Sequence, residues 1–325
     1  MPELFLTIFF ISILLIFLGT GIWVALSMVG VSAIGMLLFT SRPVGDAMAT
    51  TIWGTSSSWT LTALPLFVWM GEILFRTKLS ENLFKGLAPW LSRLPGGLIH
   101  VNVVGCALFA AISGSSAATV ATVGKMSIPE LRKRNYPEKL LLGSLAGSGT
   151  LGLLIPPSII LIIYGVTVQE SIAKLFIAGI IPGIMIAIFF MFYVIGWSMF
   201  NKKIMPKMDE TFSFSQKIKQ SGQLIPIIVL IAAVIGSIYA GIATATEAAS
   251  LGVVGALILS FFQKSLNKET FKLSLLGATK TSCMIAFILA GSAFLSLAMG
   301  FTGLPRNLAI WINEMNLSPY VLIMV

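Results

Sequence analysis

The sequence carries little charge, because Asp, Glu, Lys and Arg make up only 10% of its 325 residues. Soluble globular domains carry about 25% charged residues, so this scarcity excludes an ordinary soluble protein. Hydrophobic residues account for 57% of the chain. Several apolar runs reach the roughly 20 residues that a helix needs to cross a bilayer. The composition therefore predicts an all-α polytopic membrane protein that is surrounded by membrane lipid.

Residues that bind metals or transfer protons are also scarce. The chain has one histidine, His100, two cysteines, Cys106 and Cys283, and 12 acidic residues. The cysteines lie far apart in apolar runs and lack the spacing of metal ligands. Intramembrane enzymes that modify lipids need carboxylates, histidines or a metal centre. The composition therefore argues against an enzyme, and no catalytic residue is predicted.

Basic residues outnumber acidic ones, and the formal net charge is +9. Most of the 21 basic residues fall into four clusters, at 76–93, 125–139, 202–219 and 264–272. Basic loops of membrane proteins stay in the cytoplasm, so the clusters indicate topology and not a nucleic-acid partner. The apolar segment 95–124 lies between the first two clusters and must enter and leave the membrane on one side. We predict a re-entrant hairpin there, with "SGSSA" at its tip.

The segment 140–166 is predicted to contain a broken helix. Its run "GSGTLGLLIPPSIILIIYG" holds glycines that weaken a helix, followed by Pro156 and Pro157, which end one. Two half-helices joined by an unwound stretch fit this pattern, and a simple proline kink is the alternative. Unwound carbonyl groups can coordinate Na⁺, and the N-termini of half-helices attract anions. Next to the hairpin tip, the break favours a binding site.

Weak internal similarity indicates an inverted repeat, which is common in secondary transporters. "SMVGVSAIG" at 27–35 resembles "ASLGVVGAL" at 249–257, and "PLFVWMGEILF" at 65–75 resembles "IAFILAGSAFL" at 285–295, at nearly the same offset. At this offset, the partners of the hairpin and of the broken helix would lie beyond Val325. We therefore expect a C-terminally truncated sequence that lacks the second hairpin.

These segments predict four regions along the chain. Residues 1–59 would form N-terminal scaffold helices and an outside loop, and residues 60–200 the core of the first repeat. Residues 201–221 would be a cytoplasmic linker, and residues 222–325 the start of the second, inverted repeat.

Three further segments carry expectations about local structure. Residues 5–40 could form two short helices broken near the "GTG" at 19–21, or one long tilted helix. Residues 44–59 are too polar to span a membrane and predict an interfacial helix or an outside loop. A loop is expected around 301–317.

We expect two acidic residues in apolar surroundings to have partners nearby in the sequence. Glu72 is expected to pair with Arg76, four residues later on the same helix. Glu247 is expected in the first turn of a helix that Thr244 or Thr246 caps.

Three motifs in this order carry a family resemblance. "AISGSSAATVATVGKMSIPEL", "GSLAGSGTLGLLIPPSIILIIYG" and "GIATATEAASLGVVGAL" resemble the large membrane subunit (M subunit, DctM-like) of tripartite ATP-independent periplasmic (TRAP) transporters. The resemblance covers essentially the whole chain, and the overall run is most similar to the sialic-acid members. It implies an inverted-repeat, elevator-type transporter in the bacterial inner membrane. Import of an organic acid would be coupled to Na⁺ and would not use ATP.

The resemblance also implies partners and site residues. A small four-helix membrane subunit would bind the scaffold, and a periplasmic substrate-binding protein would deliver the substrate. Carried over by motif, one Na⁺ site would consist of Ser113 with the backbone of Gly152, Ile155 and Pro156. Hydroxyl and carbonyl oxygens suit a hard cation such as Na⁺. The residues implied for the substrate are Ser115, Ser116 and Ser158. A second Na⁺ site and a cationic partner for the carboxylate would lie largely in the missing part of the second repeat, beyond Val325.

Other functions remain as alternatives. The chain could be a cation-coupled anion transporter that works without a binding protein. Inverted repeats and broken helices also occur in channels, and an intramembrane lipid-modifying enzyme is the least favoured reading.

Overall fold

The computed structural model of the protein describes residues 2–77, 79–206, 213–315, 318 and 321. These residues form α-helices and short 3₁₀ turns, and no β-strand occurs among them, so the all-α prediction is confirmed. In the described residues the α-helices are, in chain order, α1 Pro2–Gly19, α2 Val24–Phe39, α3 Val44–Ser56, α4 Ala63–Arg76, α5 Leu79–Leu91, α6 Ile99–Ser113, α7 Ser116–Lys133, α8 Glu138–Gly149, α9 Ile159–Val168, α10 Ile172–Phe200, α11 Phe214–Ser221, α12 Ile225–Tyr239, α13 Ala245–Phe262, α14 Lys268–Phe301 and α15 Leu304–Glu314.

The helices group into two compact units. One unit comprises residues 1–59 and 283–325, and the other comprises residues 60–282. Within the described ranges, α10, α13 and α14 are each long and apolar enough to cross a membrane. The number rises to five if two bent helix pairs are each counted as one span. The helices thus have the lengths and composition of a multi-pass membrane protein.

The first 40 residues form two helices and not one long helix. The chain turns between α1 and α2 at a glycine, Gly21, whose φ of +82° lies in the left-handed region that other residues rarely adopt. In this first unit, Phe10 of α1 packs with Val31 of α2 and Leu304 of α15 in one buried cluster. Packing of α1 against α2 therefore favours the broken arrangement.

Two polar segments of the first unit are helical. Residues 44–56 form α3, in which Thr50 and Thr51 donate hydrogen bonds of 2.7 Å to the carbonyl oxygens of Asp46 and Ala47. These bonds within the helix satisfy hydroxyl groups that would otherwise compete with helix formation. The loop expected around 301–317 is wrong over most of its length, because α15 occupies Leu304–Glu314. Residues 316–317 lie outside the described residues.

The N-terminus of α13 is held by a capping box. The Thr244 N–H donates to Glu247 Oε2 at 2.8 Å, and the Glu247 N–H donates to Thr244 Oγ1 at 3.4 Å. The capping role predicted for Glu247 is confirmed, and Thr244 is the partner. Each of these bonds satisfies a backbone N–H that the first turn of a helix leaves without an intrahelical acceptor.

The pair between Glu72 and Arg76 is also confirmed. Arg76 Nε donates to Glu72 Oε2 at 2.9 Å, and both side chains are partly buried. The carboxylate lies against Gly277 of α14, where a Cβ would come within 2.6 Å of Glu72 Oε2. Helix α14 can therefore approach the charged end of α4 closely.

The capping box yields a test of stability. Replacing Thr244 with Ala removes the hydroxyl acceptor, and we expect a loss of about 1 kcal/mol of unfolding free energy. Thermal unfolding of the full-length protein in detergent measures the effect as a lower melting temperature. Thr244→Ser keeps the oxygen and is the matched control, which should melt close to the parent protein. Equal melting of the Ala and Ser variants would contradict the capping role.

Candidate functional site

The chain reverses direction within two residues at the tip of a helical hairpin. Helix α6 ends at Ser113, Gly114 adopts a left-handed conformation with φ of +59°, and Ser115 is extended before α7 begins at Ser116. The left-handed conformation favours glycine, because a Cβ costs about 1–2 kcal/mol there. A Cβ at Gly114 would also lie 2.7 Å from the carbonyl oxygen of Pro157. The hairpin tip is thus tight and in direct contact with the helix break.

Ser113 is buried at the tip and its hydroxyl group is already engaged. The side chain is 2% exposed and shares a hydrogen bond of 3.0 Å with the hydroxyl of Thr119. Its hydroxyl also lies 3.3 Å from the carbonyl oxygen of Ser115. Helix α4 closes the tip, since a Cβ at Gly71 would lie 2.8 Å from the Cα of Ser113. The predicted Na⁺ ligand therefore lies inside the tip, bonded to neighbouring oxygens.

Ser115 and Ser116 differ in what their hydroxyl groups contact. Ser115 is the N-cap of α7, and its Oγ accepts a hydrogen bond from the N–H of Ala118 at 3.4 Å. The Oγ of Ser116 is buried, and no hydrogen-bond partner for it occurs in the described residues. The backbone of Gly152 lies against Ser116, because a Cβ at Gly152 would come within 2.9 Å of the Ser116 N. Among the described residues, a buried oxygen without a partner thus belongs to the residue at which the hairpin meets the break.

The helix break runs from the end of α8 to the start of α9. A 3₁₀ turn, Thr150–Leu153, follows α8, and an irregular stretch continues to Ser158. Within the break, the Ile155 N–H donates to the carbonyl oxygen of Leu151 at 2.9 Å. The structure therefore contains two half-helices with an unwound connection, and not a single helix with a proline kink.

Two further hydrogen bonds hold the break in place. The hydroxyl of Ser158, which is fully buried, donates to the carbonyl oxygen of Leu153 at 2.7 Å. The N–H of Ile159, the first residue of α9, donates to the carbonyl oxygen of Gly114 at 3.2 Å. The second bond joins the hairpin tip directly to the N-terminus of α9. Ser158, implied as a substrate ligand by the family resemblance, uses its hydroxyl to shape the break, and its role toward a substrate stays a prediction.

Within the described residues, the break leaves several carbonyl oxygens without a hydrogen bond. Across the part of the chain that the structure describes, no donor contacts the carbonyl oxygens of Gly152, Ile155 or Pro156. These three carbonyl groups belong to the residues that the resemblance implied for Na⁺. No group of three or more His, Cys, Asp or Glu residues suited to a metal ion occurs in the same part of the chain. The oxygens available for a cation are therefore carbonyl and hydroxyl groups, which a hard cation such as Na⁺ accepts.

The structure brings most of the predicted site residues together. Ser113 and Ser115 form the hairpin tip, Gly152 contacts the start of α7, and Ser158 precedes the helix that bonds to Gly114. Helices α7 and α9 both begin where the hairpin tip meets the break, and the N-terminal end of a helix carries a partial positive charge. The arrangement therefore places carbonyl and hydroxyl oxygens beside two helix N-termini, which favour an anion.

Thr119 is a member of this cluster that the sequence did not single out. It is fully buried and bonds to the hydroxyl of Ser113. Helical spacing could have identified it, because Thr119 lies four residues after Ser115 and three after Ser116, on the same face of α7.

Comparison with known proteins places this architecture in a family. The model of the family described as "Tripartite ATP-independent periplasmic transporter, DctM component" matches residues 9–325. The chain is 32% identical over 294 residues to the C4-dicarboxylate TRAP transporter large permease protein DctM of Pseudomonas aeruginosa, covering 90% of this chain and 68% of that protein. It is 29% identical to the protein of the same name from Rhodobacter capsulatus, covering 97% of this chain and 74% of that protein.

Relatives with other named substrates are similar at the same level. The Ectoine/5-hydroxyectoine TRAP transporter large permease protein UehC of Ruegeria pomeroyi is 30% identical, covering 95% of this chain and 72% of that protein. The substrates in these names differ, so the similarity identifies the family and does not identify a sialic-acid subgroup. The chain belongs to the DctM component family of tripartite ATP-independent periplasmic transporters, and it is a transporter subunit of the large permease type and not an enzyme.

Proposed function

We propose that this protein is the Na⁺-coupled transport subunit that imports an organic acid across the bacterial inner membrane. The observation that carries the proposal is the contact between the hairpin tip and the helix break. There the carbonyl oxygens of Gly152, Ile155 and Pro156 make no hydrogen bond within the described chain, and the buried hydroxyl oxygen of Ser116 has no partner there either. Buried polar groups without partners are costly, and a bound cation would satisfy them.

The hydrogen bonds of the serines support a proposal that differs from the sequence-based prediction. Ser113 was predicted to bind Na⁺ and Ser116 to bind substrate, but Ser113 already bonds to Thr119 within the tip. Ser116 lies against Gly152, and its hydroxyl oxygen has no hydrogen-bond partner among the described residues. We therefore propose Ser116 as the hydroxyl ligand and Ser113 as the residue that positions the start of α7 through Thr119.

The substrate is proposed to be a carboxylate. Two relatives are named for C4-dicarboxylates, and the resemblance to sialic-acid members makes sialic acid a second candidate. The N-termini of α7 and α9 favour an anion at the site, and the partly exposed Ser115 could donate a hydrogen bond to a carboxylate oxygen. Ser115 is therefore the described serine best placed to contact the substrate.

The proposed transport cycle requires two partners. A periplasmic binding protein would deliver the substrate, and a small four-helix membrane subunit would hold the scaffold, as the tripartite family implies. The hairpin and the broken helix would move as one body in an elevator mechanism. The hydrogen bond from Ile159 to Gly114 supports this, because it links the two elements through their backbones.

A first prediction tests Na⁺ binding at Ser116. In proteoliposomes that contain the full-length protein, its small subunit and the binding protein, Ser116→Ala should raise the half-saturating Na⁺ concentration about tenfold, because an interaction with a charged group is lost. Uptake of a labelled dicarboxylate at varied Na⁺ measures this. Ser250→Ala, which removes an exposed hydroxyl on α13, is the control and should leave Na⁺ dependence unchanged. Equal Na⁺ dependence in the Ser116 variant and the parent protein would rule out this ligand.

A second prediction tests the contact between the tip and the break. Gly114→Ala places a Cβ at a left-handed position and against the carbonyl oxygen of Pro157, so we expect uptake to fall to background. Gly143→Ala in α8 is the matched control, since a Cβ there meets no atom within 4 Å. Alanine also favours the helix, so this variant should transport normally. Normal uptake in the Gly114 variant would mean that the contact is dispensable.

A further inference from the structure

A large cavity lies in the second unit, apart from the hairpin tip. Its volume is about 1090 Å³, and the ends of α4 and α7 together with α5 contribute to its wall. The connection between α13 and α14 completes the wall, with Lys264 and Asn267 among its residues. Ligand pockets have volumes of about 300–1,000 Å³, so this cavity can admit a small organic acid with water.

The wall of the cavity is strongly basic. Its charged residues are Arg76, Lys85, Lys125, Glu130, Arg134 and Lys264. Two of the cations have acidic partners, because Arg76 pairs with Glu72 and Arg134 pairs with Glu130, each at 2.9 Å. The three lysines form no ion pair with any described residue. A cleft in which cations outnumber anions concentrates negatively charged ions.

The lysines come from three separate elements of the second unit. Lys85 lies on α5, Lys125 on α7 and Lys264 just after α13, and each side chain is exposed. Polar groups that can donate hydrogen bonds, among them Asn267 and Thr270, lie in the same wall. The cavity thus presents several cations and neutral donors to an anion that enters it.

Helix α7 connects this cavity to the hairpin tip. Its N-cap, Ser115, lies in the tip, and Thr119 one turn later bonds to Ser113. Thr122 and Lys125 follow on the helix and line the cavity. At a rise of about 1.5 Å per residue, Lys125 lies roughly 15 Å along the helix from Ser115. One helix therefore leads from the proposed substrate position to the basic cavity.

We infer that the cavity is an anion-binding vestibule, in which Lys85, Lys125 and Lys264 bind the carboxylate of the organic acid between the site and the cytoplasm. Its cations belong to basic clusters that the positive-inside rule assigns to the cytoplasmic side. The vestibule draws the released anion away from the hairpin tip and lowers the chance of rebinding. This inference rests on the proposed function, because it takes the substrate to be an organic anion.

The test removes the three lysine charges together. The variant Lys85→Gln/Lys125→Gln/Lys264→Gln is compared with Lys133→Gln/Lys139→Gln/Lys203→Gln, which removes three exposed charges outside the cavity. The full-length protein with its small subunit and binding protein is placed in proteoliposomes, and uptake of a labelled dicarboxylate is measured. We expect the maximal rate of the cavity variant to fall about tenfold. The half-saturating Na⁺ concentration should stay unchanged, and the control variant should transport normally.

Replacing the same lysines with arginine tests whether the maximal uptake rate depends on the positive charge or on the lysine side chain itself. Lys85→Arg/Lys125→Arg/Lys264→Arg keeps the three charges and should keep the maximal rate. High ionic strength inside the vesicles should slow the parent protein toward the rate of the glutamine variant, because salt screens exposed charges. An unchanged rate in the glutamine variant, or an equal loss in the control variant, would overturn the inference.

The cavity could bind an anionic phospholipid headgroup in place of the substrate carboxylate. Varying the lipid composition of the vesicles distinguishes these two ligands. The comparison is repeated in vesicles of phosphatidylcholine alone and in vesicles that also contain phosphatidylglycerol. A difference between parent and cavity variant that persists in phosphatidylcholine supports the carboxylate. A difference that occurs only with phosphatidylglycerol assigns the cavity to lipid and overturns the inference. If uptake by the parent protein did not depend on Na⁺, the proposed ion coupling would be wrong. Exchange of labelled dicarboxylate by the parent and the cavity variant would still test the role of the cavity.

Discussion

The structure of the site depends on one constraint, which is that backbone polar groups within an apolar chain must find partners. The hairpin tip and the helix break both interrupt regular helices. They satisfy each other through the hydrogen bond from the N–H of Ile159 to the carbonyl oxygen of Gly114. Ser158 provides a second internal partner by donating to Leu153. Among the described residues, the oxygens of Ser116 and of three carbonyl groups of the break remain without partners, and the proposed ion would satisfy them.

Glycine makes this mutual arrangement sterically feasible. At Gly114 the backbone turns in the left-handed region and touches the carbonyl oxygen of Pro157. At Gly71 and Gly152 the absence of a Cβ lets α4 and the 3₁₀ turn approach the tip. Any larger side chain at these positions would separate elements whose hydrogen bonds depend on contact. The small residues in the motifs are therefore required by packing as well as by the conformation of the backbone.

Helix α7 relates the proposed site to the basic cavity. Its first turn is capped within the tip, and its later turns carry Thr122 and Lys125 into the cavity wall. A rigid-body shift of this helix would therefore change the proposed ion ligands and the proposed anion vestibule together. Coupling between cation and anion then requires no separate signalling element.

The helical segments were predictable wherever composition and local signals agreed. The break at 150–158 followed from its glycines and prolines, and the pair of Glu72 with Arg76 from helical spacing. The loop expected at 301–317 was wrong, because Leu304–Glu314 forms a helix whose start is marked by Gly303 and a proline. The loop was expected only as the connection after the apolar segment that ends near residue 300, and an amphipathic helix can form within such a connection.

The sequence by itself determined the protein class, the positions of the hairpin and of the break, and the residue types that the site could contain. Those features depend on composition, basic clusters, glycine and proline, all of which act locally along the chain. Only the tertiary structure decided which hydroxyl lacks a partner among the described residues, because Ser113 and Ser116 differ in their neighbours and not in their chemistry. It also decided that Lys85, Lys125 and Lys264, which are far apart along the chain, line one cavity. Contacts between distant segments arise from packing, and no local pattern specifies them.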